Sequence, residues 1–588
     1  MKEWSLSRTA LLAGILVIAV EAILLAGGNN AVLHGVLLDP DCYMHLQRAL
    51  RLMTEGGWHD TVDPRINAPF GFTIHWTAVF DTLLVAGAAP LKALGLDPHS
   101  ALYVWGSAIS PLLLVAALAV FAWGVKPRIA GPAFLWLTIL IFTQPQLAGS
   151  FIAGRPDHQS LVLGLLLAQL AWAYALFDGR AGSRWALAAG VMAGLQLATS
   201  VEALLTIFLV SAALALAWLF YGRKTLRPLL LYFAGAVFTV VAWLTWEGGH
   251  FLVIAAYDRV SIAHVLALAS GTFGMAAVVF TDARGLLAGT GRKLAALGLA
   301  LVFAAGVMAA AYPDFFLGPW PHLDPVIVAW HAQIGELQPL AKGGWFGLAA
   351  FFAQMTAPLL ALPLVIWRLV RGPTADKPAM VLSLIGFVLF GGLALVQMRW
   401  SGETQAVMLL PWTLTTIAIM QSEVALRIGR SRIPLRTFAL GGALLLQVLP
   451  TIATQTAKGL DQFDTHPHAA CNWSGAIRVL QQSLPDNAIV MAPLDHGPEI
   501  LWRTKARVIA GPYEILPAVK DTAAFLHGGK AAARDVVQRR GISHALVCRH
   551  DNWPGFGGEI AVGRYPAWLK PVPLKNGPKE FRLYRVSR

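Results

Sequence analysis

Apolar stretches of about 20 residues recur along most of the chain, and this pattern limits what the chain can fold into. A helix of that length crosses the hydrocarbon of a bilayer while making all its backbone hydrogen bonds internally. The first stretch covers residues 9 to 28. Lys2 and Arg8 precede it, and no small-residue cleavage site follows it. We interpret it as an uncleaved signal anchor with a cytoplasmic N-terminus, at the start of a multi-pass membrane protein.

The composition agrees with a membrane location. Of the 588 residues, 56% are hydrophobic and 13% are charged, and the mean hydropathy is +0.60. The net charge of +13 would suit a nucleic-acid partner, but the basic residues are concentrated in short loops between the apolar stretches. The positive-inside rule places basic residues in such loops on the cytoplasmic side. We therefore expect membrane lipids as partners and no nucleic acid.

The basic loops also determine the sidedness of the spans. Residues 78 to 95 are moderately apolar, but a span there would put Lys126 and Arg128 outside and invert every later basic loop, so we assign this stretch to an external loop. With the signal anchor, the sequence predicts about 13 spans. The others are 99 to 124, 130 to 148, 160 to 178, 184 to 200, 203 to 221, 228 to 247, 260 to 280, 294 to 312, 344 to 367, 378 to 397, 405 to 424 and 436 to 454.

An odd number of spans places the end of the chain outside, opposite the N-terminus. The predicted membrane domain covers residues 1–455, and 456–588 form the tail. In the tail, short apolar runs alternate with helical patterns, which predicts a small α/β domain. The predicted external loops are 29–98, 149–159 and 313–343. The fold class is a polytopic α-helical membrane protein with a C-terminal α/β domain in the periplasm, and we place it in the inner membrane of a bacterium.

Three cysteines occur, with no metal-type spacing among them. Cys471 and Cys548 both lie in the C-terminal tail, so they could pair in an oxidising compartment.

Acidic residues stand in two of the predicted external loops. Asp39 and Asp41 follow the first span, and Asp157 with His158 precedes a later one. Mg²⁺ and Mn²⁺ prefer carboxylate oxygen, and Mn²⁺ also accepts imidazole, so these residues could hold a cation that neutralises a leaving phosphate. The alternative is that Asp39 and Asp41 cap a helix predicted from Met44 to Glu55, and that Asp157 caps its span.

Three further charged residues lie at the predicted outer face. Glu336 is in the loop 313–343, Arg399 is at a span boundary, and Glu202 follows a span end. A guanidinium can donate two parallel hydrogen bonds to phosphate oxygens, so Arg399 is a candidate for binding a donor phosphate. The alternative is that Arg399 extends to the lipid headgroups, as arginines at a membrane boundary commonly do. Glu202 is either a site residue or a solvated carboxylate at the interface.

Five motifs occur in order along the chain. They are Asp41-Cys42-Tyr43, Asp157-His158-Gln159, Ile334-Gly335-Glu336-Leu337-Gln338-Pro339, Arg399, and Pro493-Leu494-Asp495-His496-Gly497. In this order and spacing they resemble the catalytic subunit of oligosaccharyltransferase and its single-subunit bacterial and archaeal relatives, which are GT-C glycosyltransferases. The resemblance runs the length of the chain.

The resemblance implies roles for the donor-side residues. Asp41, Asp157 and Glu336 would bind a divalent cation, Glu336 would also activate the acceptor, and Arg399 would contact the lipid-linked pyrophosphate. The family has a Glu two residues after the second-loop Asp, where this chain has Gln159.

The resemblance also implies an acceptor site in the C-terminal domain. The family signature there is Trp-Trp-Asp-Tyr-Gly, and this chain keeps the Asp and the Gly but lacks both tryptophans. Asp495 and His496 are therefore predicted to contact the acceptor.

Together these observations predict a metal-dependent membrane glycosyltransferase with Mg²⁺ or Mn²⁺ as cofactor. It would move a sugar or oligosaccharide from a polyprenyl-phosphate or pyrophosphate carrier to a protein or glycan acceptor on the periplasmic face. One alternative is a GT-C enzyme that glycosylates a polysaccharide or lipid. Others are a transporter or flippase for lipid-linked glycans and a structural membrane protein.

Overall fold

The computed structural model describes residues 4–58, 62–222, 225–428, 431–434, 436, 438–447, 449, 471–551 and 553–587. Helices make up most of the first three quarters of the chain. In order they are α1 (Leu6–Ala26), α2 (Pro40–Thr54), α3 (Val79–Ala93), α4 (Pro98–Val125), α5 (Pro132–Ile141), α6 (Pro145–Gly149), α7 (His158–Phe177), α8 (Ser183–Thr199), α9 (Ala203–Tyr221), α10 (Leu226–Trp246), α11 (Ile262–Ala283), α12 (Thr290–Ala311), α13 (Pro325–His331), α14 (Trp345–Arg371), α15 (Lys377–Ala394), α16 (Ser401–Gln421) and α17 (Phe438–Gln447).

Nine of these helices are long and apolar enough to cross a membrane, among the residues just given: α1, α4, α7, α9, α10, α11, α12, α14 and α15. Each coincides with a predicted span. Large apolar side chains on α12 point outward, with Leu299 71% and Val302 69% exposed, as expected for a helix face against lipid. The polytopic membrane fold is confirmed.

The other predicted spans differ in detail. Residues 130 to 148 do not form one continuous helix: α5 ends at Ile141 and α6 begins at Pro145. Proline has no backbone N–H, and it forces the residue before it, Gln144, out of the helical region (φ −101°, ψ 97°). Helices α8 and α16 match the spans at 184–200 and 405–424. The span at 436–454 lies partly outside the described residues, and α17 is the longest described part of it.

The first predicted external loop carries two helices and a small hairpin. The helix predicted from Met44 begins earlier, at Pro40, because the Asp39 carboxylate accepts a hydrogen bond from the Cys42 amide (3.0 Å) and thereby caps it. Strand β1 (Val62–Asp63) pairs with β2 (Phe72–Thr73). Helix α3 has 15 residues and is not among the candidate spans, in agreement with the assignment of residues 78 to 95 to a loop. A second hairpin, β3 (Ala425–Ile428) with β4 (Ser431–Pro434), follows α16.

The C-terminal part is a small α/β unit. It contains α18 (Trp473–Leu480), β5 (Ile489–Met491), α19 (Gly497–Arg503), β6 (Arg507–Val508), α20 (Leu516–His527), α21 (Lys530–Arg540), β7 (His544–Cys548), α22 (Phe556–Ala561), β8 (Leu569–Val572) and β9 (Phe581–Val586). The sheet order is β6-β5-β7-β9-β8; β5 is parallel to β6 and β7, and β9 is antiparallel to β7 and β8. Cys471 and Cys548 form a disulfide. The predicted boundary at 455/456 lies outside the described residues.

The C-terminal part is joined to the first external loop by backbone hydrogen bonds. Val508 donates to the Arg65 carbonyl (2.7 Å) and accepts from the Ala68 amide (3.0 Å), so the loop extends the sheet edge at β6. The buried Arg540 guanidinium donates to the Asn67 side chain (2.8 Å) and to the Ala68 carbonyl (3.1 Å). These bonds hold the loop between the helix bundle and the sheet, where the candidate site lies.

Candidate functional site

A cavity of about 510 Å³ lies where the three predicted external loops meet the C-terminal part. Eight of the nine residues predicted for the site line it: Asp39, Asp41, Asp157, His158, Glu202, Glu336, Arg399 and Asp495. His496 does not line the cavity, because its ring stacks on Trp473 with the centroids 4.0 Å apart. The structure therefore brings together residues that lie up to several hundred positions apart in the chain.

Arg155 joins the carboxylates of the first two loops. Its Nε lies 3.4 Å from Asp39 Oδ2, its Nη2 lies 3.2 Å from Asp157 Oδ2, and its Nη1 donates to the Gly149 carbonyl (2.9 Å). Burial alone would lower the pKa of Arg155, but the charges of Asp157 and Asp39 outweigh it and raise the pKa, so the guanidinium stays charged. Arg155 thus fixes the spacing of the two acidic loops.

Asp41 lies in the first turn of α2, beside several other carboxylates. Burial raises the pKa of Asp41 well above its usual value, and the charges of Asp39, Asp157 and Glu336 add to the effect. The hydroxyl of Tyr513, from the C-terminal part, donates to Asp41 Oδ1 (3.3 Å) and partly opposes this rise. A carboxylate crowded in this way is stabilised by a cation.

Asp157 caps α7 and contacts His158 as well as Arg155. Its Oδ1 accepts from the Gln159 amide (3.2 Å) and lies 2.8 Å from His158 Nδ1. Burial opposes its ionisation, but the charges of His158 and Arg155 outweigh this and hold the pKa of Asp157 below its usual range. The helix-capping alternative is therefore realised by Asp39 and Asp157, and both also face the cavity.

The guanidinium of Arg399 and the loop that carries Glu336 meet at the cavity wall. Arg399 Nη2 donates to Glu202 Oε2 (2.9 Å). The Met398 amide donates to the Gln338 carbonyl (2.9 Å), which ties the loop of Glu336 to the start of α16. Glu336 itself is solvent-exposed at the cavity rim. The cavity therefore has an arginine on one wall and an accessible carboxylate near it.

Buried charges hold these loops in place. Glu21 on α1 accepts a hydrogen bond from the Ala153 amide (3.0 Å), just before the second acidic motif. Arg259 donates to the carbonyls of Ile74 (2.8 Å) and Trp76 (3.1 Å) and pairs with Glu247 (2.8 Å). Each of these groups fixes backbone that carries cavity residues.

Aromatic, acidic and histidine side chains from other segments also line the cavity. His75, Asp258 and Glu514 line it together with Trp320 and Trp330. Burial lowers the pKa of His75 to about 4, so the ring is neutral at neutral pH. Glu514 pairs with His331 on α13 (3.0 Å).

The donor set fits a divalent cation. Among the described residues, Arg155 neutralises Asp39 and Asp157, whereas Asp41 and Glu336 have no cationic partner within 4.0 Å. Carboxylate oxygen is the donor that Mg²⁺ and Mn²⁺ prefer, and a cation would relieve the repulsion that raises the pKa of Asp41.

Sequence reasoning missed several residues of the site. Arg155 stands two positions before Asp157, so its place in the motif was a usable signal. His45 is four residues after Asp41 and hence on the same face of α2, which was a second signal. Nothing local indicates that Tyr513 would reach Asp41, because the two are 472 positions apart.

Comparison with known proteins gives matches at the level of structure. No protein-family model matches the chain, and no curated protein sequence matches it either. The apo oligosaccharyltransferase of Archaeoglobus fulgidus aligns with a TM-score of 0.70 and 15% identity, covering 93% of this chain and 70% of that chain. The same archaeon's AglB in complex with an inhibitory peptide and a dolichol-phosphate gives 0.66 and 15%, covering 86% and 65%. A structure of that oligosaccharyltransferase with Zn and sulfate gives 0.61 and 14%, covering 87% and 64%.

In two of these three alignments the chain spans slightly less than two thirds of the archaeal protein. The likeness nevertheless extends over most of this chain and agrees with the fold that the five motifs imply. The chain therefore has the fold of the archaeal oligosaccharyltransferase.

Proposed function

We propose that this chain is a metal-dependent glycosyltransferase that moves a sugar or oligosaccharide from a polyprenyl-phosphate or pyrophosphate carrier to an acceptor on the periplasmic face. The observation that carries the proposal is one cavity in which carboxylates from three loops lie together with the half-buried Arg399. The GT-C fold supports it, because solved structures with this fold include one bound to a dolichol-phosphate and an inhibitory peptide.

On the donor side, Arg399 binds the phosphate of the lipid carrier. Among the described residues, only one of its guanidinium nitrogens has a hydrogen-bonding partner, Glu202. The other N–H groups match phosphate oxygens in charge and in planar geometry. Glu202 fixes the orientation of the guanidinium.

On the acceptor side, a nucleophile attacks the anomeric carbon from the face opposite the phosphate. The bond between the acceptor atom and that carbon forms while the bond between the carbon and the phosphate oxygen breaks. The electron pair of the broken bond stays on the phosphate oxygen. Glu336, at the accessible rim, or Asp41 takes the acceptor proton. Asp495 contacts the acceptor from the C-terminal part, and His496, which stacks on Trp473, lies outside the cavity lining.

The residues that would hold a divalent cation, Mg²⁺ or Mn²⁺, are Asp41, Asp157, His158 and Glu336. The bound cation would neutralise charge on the departing phosphate. Arg155 keeps the loops of Asp39 and Asp157 at a fixed spacing. Tyr513 orients Asp41 through its hydroxyl.

We place the cavity on the periplasmic side of a bacterial inner membrane, with the N-terminus in the cytoplasm. The Cys471–Cys548 disulfide supports this, since disulfides persist in oxidising compartments. The basic loops between the spans support it as well, because they then face the cytoplasm.

The test is glycosyl transfer by purified protein in nanodiscs, with a synthetic polyprenyl-pyrophosphate glycan as donor. Asp41→Ala and Glu336→Ala should abolish transfer, and the exposed Asp535→Ala on α21 should retain it. Full activity of both cavity variants would refute the mechanism.

The acceptor is identified by mass spectrometry of periplasmic proteins and surface glycans from cells with and without the gene. A glycan missing from proteins indicates a protein acceptor. A glycan missing from polysaccharide or lipid indicates the alternative GT-C activity. Movement of the lipid-linked glycan across the bilayer without covalent transfer would indicate a flippase instead.

A further inference from the structure

Four buried side chains form a row that runs from the cavity wall into the protein. Asp81 Oδ1 lies 2.8 Å from His45 Nδ1, and His45 Nε2 lies 3.1 Å from His158 Nδ1. The same His158 nitrogen lies 2.8 Å from Asp157 Oδ1. Asp157 and His158 line the cavity, whereas His45 and Asp81 lie behind them and have no role in the mechanism above.

The hydrogen bonds at the inner end determine the tautomer of His45. Asp81 is a fully buried carboxylate that also pairs with Arg48 (2.9 Å). A carboxylate accepts from an imidazole N–H, so the proton of a neutral His45 ring is on Nδ1 and the lone pair is on Nε2. That lone pair faces His158 Nδ1 and Asp157. A histidine whose far nitrogen donates to a buried carboxylate is the usual arrangement of a metal ligand.

The geometry points to a metal site that includes His45: we infer that His45 Nε2, His158 Nδ1 and Asp157 Oδ1 bind one divalent transition-metal ion. These three atoms all lie within 4.8 Å of one another. Asp81 is a positioning residue that orients His45. The ion enters through the cavity, which Asp157 and His158 line. This inference rests on the proposed metal-dependent function and adds to its ligands.

The donor types predict which metal the site selects. Two imidazole nitrogens and one carboxylate suit Mn²⁺, Fe²⁺, Co²⁺ and Zn²⁺, whereas Mg²⁺ prefers oxygen ligands. His45 is one helical turn beyond Asp41 on the same face of α2, so an ion at the three atoms remains close to the carboxylate cluster. We therefore expect Co²⁺ and Zn²⁺ to bind more tightly than Mn²⁺, and Mn²⁺ more tightly than Mg²⁺.

The test measures metal binding directly on the full chain in nanodiscs. Protein labelled with ¹⁵N-histidine is titrated with Mn²⁺, and pulsed electron paramagnetic resonance counts the histidine nitrogens coupled to the ion. The wild type should show two. Asp81→Asn should weaken Mn²⁺ binding about 10- to 100-fold. His45→Gln should show one coupled histidine nitrogen and should bind Mn²⁺ more weakly still.

The matched control is His75→Gln, which changes a half-buried histidine that lines the cavity and is not part of the row. It should leave the Mn²⁺ affinity unchanged. Thermal unfolding without metal shows whether each variant is folded, and the wild-type spectrum alone decides the ligand count if His45→Gln does not fold.

Two results would overturn the inference. In the first, Mn²⁺ binds but couples to fewer than two histidine nitrogens. The row would then be held by hydrogen bonds alone, and an ion bound by carboxylates would leave the proposed transfer reaction intact. Absence of any divalent-cation binding would overturn both this site and the metal-dependent mechanism. Transfer activity with no such binding would separate the enzyme from its proposed cofactor.

Discussion

Replacing Arg155 by Met tests whether the acidic loops are held together by one half-buried guanidinium. Arg155→Met removes three polar contacts, to Asp39, Asp157 and the Gly149 carbonyl. Loss of one partner from a buried ion pair costs about 3–5 kcal/mol. Because Asp39 remains 28% exposed, we expect the lower end, about 3 kcal/mol, which is roughly a hundredfold in the folding equilibrium.

The assay is denaturant unfolding in micelles, with chelator and with Mn²⁺. Without metal, the variant should unfold more readily than the wild type. At one fixed Mn²⁺ concentration, about 100 times the wild-type dissociation constant, the ion stabilises the folded wild type by about 2.7 kcal/mol. The variant should gain more than the wild type, since the ion then neutralises the carboxylates in place of the lost guanidinium.

The matched control is Arg292→Met, at an exposed position on α12, which should change stability little in either condition. Equal stability of the variant and the wild type without metal would refute the account of Arg155. A stability difference that Mn²⁺ leaves unchanged would refute the link between Arg155 and the cation site.

Three further predictions concern single contacts of the site and the C-terminal part. Tyr513→Phe removes the hydroxyl that lowers the pKa of Asp41, so Asp41 should take up its proton at a higher pH. The acid limb of the pH–activity profile should therefore move to higher pH, and an unmoved limb would contradict this. Arg399→Ala should raise KM for the lipid-linked donor about 10- to 100-fold, because a hydrogen bond to a charged group contributes about 1.5–3 kcal/mol, and Arg399→Lys should recover part of this in the same kinetic assay. The double change Cys471→Ser and Cys548→Ser removes a cross-link between residues 77 positions apart. It should destabilise the C-terminal part by about 4 kcal/mol in denaturant unfolding. A non-reducing gel of the wild type checks that the disulfide is formed, and unchanged stability with the disulfide present would contradict the prediction.

The membrane fold could be predicted from the sequence because the bilayer imposes one simple requirement on each span. Nine predicted spans coincide with long apolar helices among the described residues. The stretch 130 to 148 differs because average hydropathy does not register the backbone effect of Pro145. The start of α2 differs because Asp39 caps the helix, which therefore begins at Pro40, four residues before the predicted Met44.

Most of the candidate site could also be predicted, because loops on one face of a bundle have to meet there. The predictions for Asp41, Asp157, Glu336 and Arg399 concerned residues that now line one cavity. The stacking of His496 on Trp473 could not be predicted, because it is a tertiary contact within the C-terminal part.

The row from Asp81 to Asp157 was missed for a similar reason. His45 and His158 are 113 positions apart, and their contact depends on how α2 packs against the start of α7. Periodicity and motif spacing carry no information about such a contact. It becomes visible only when the distances between side-chain atoms are known.

The backbone bonds between the first loop and β6 have a consequence for biosynthesis. Residues near Arg65 leave the ribosome about four hundred residues before their partner Val508, so the loop with Asp41 is synthesised long before the strand that completes it exists. The cavity is therefore complete only after the helix bundle has formed and the C-terminal part has folded against it. A chain that ends before β6 lacks the strand edge to which this loop bonds.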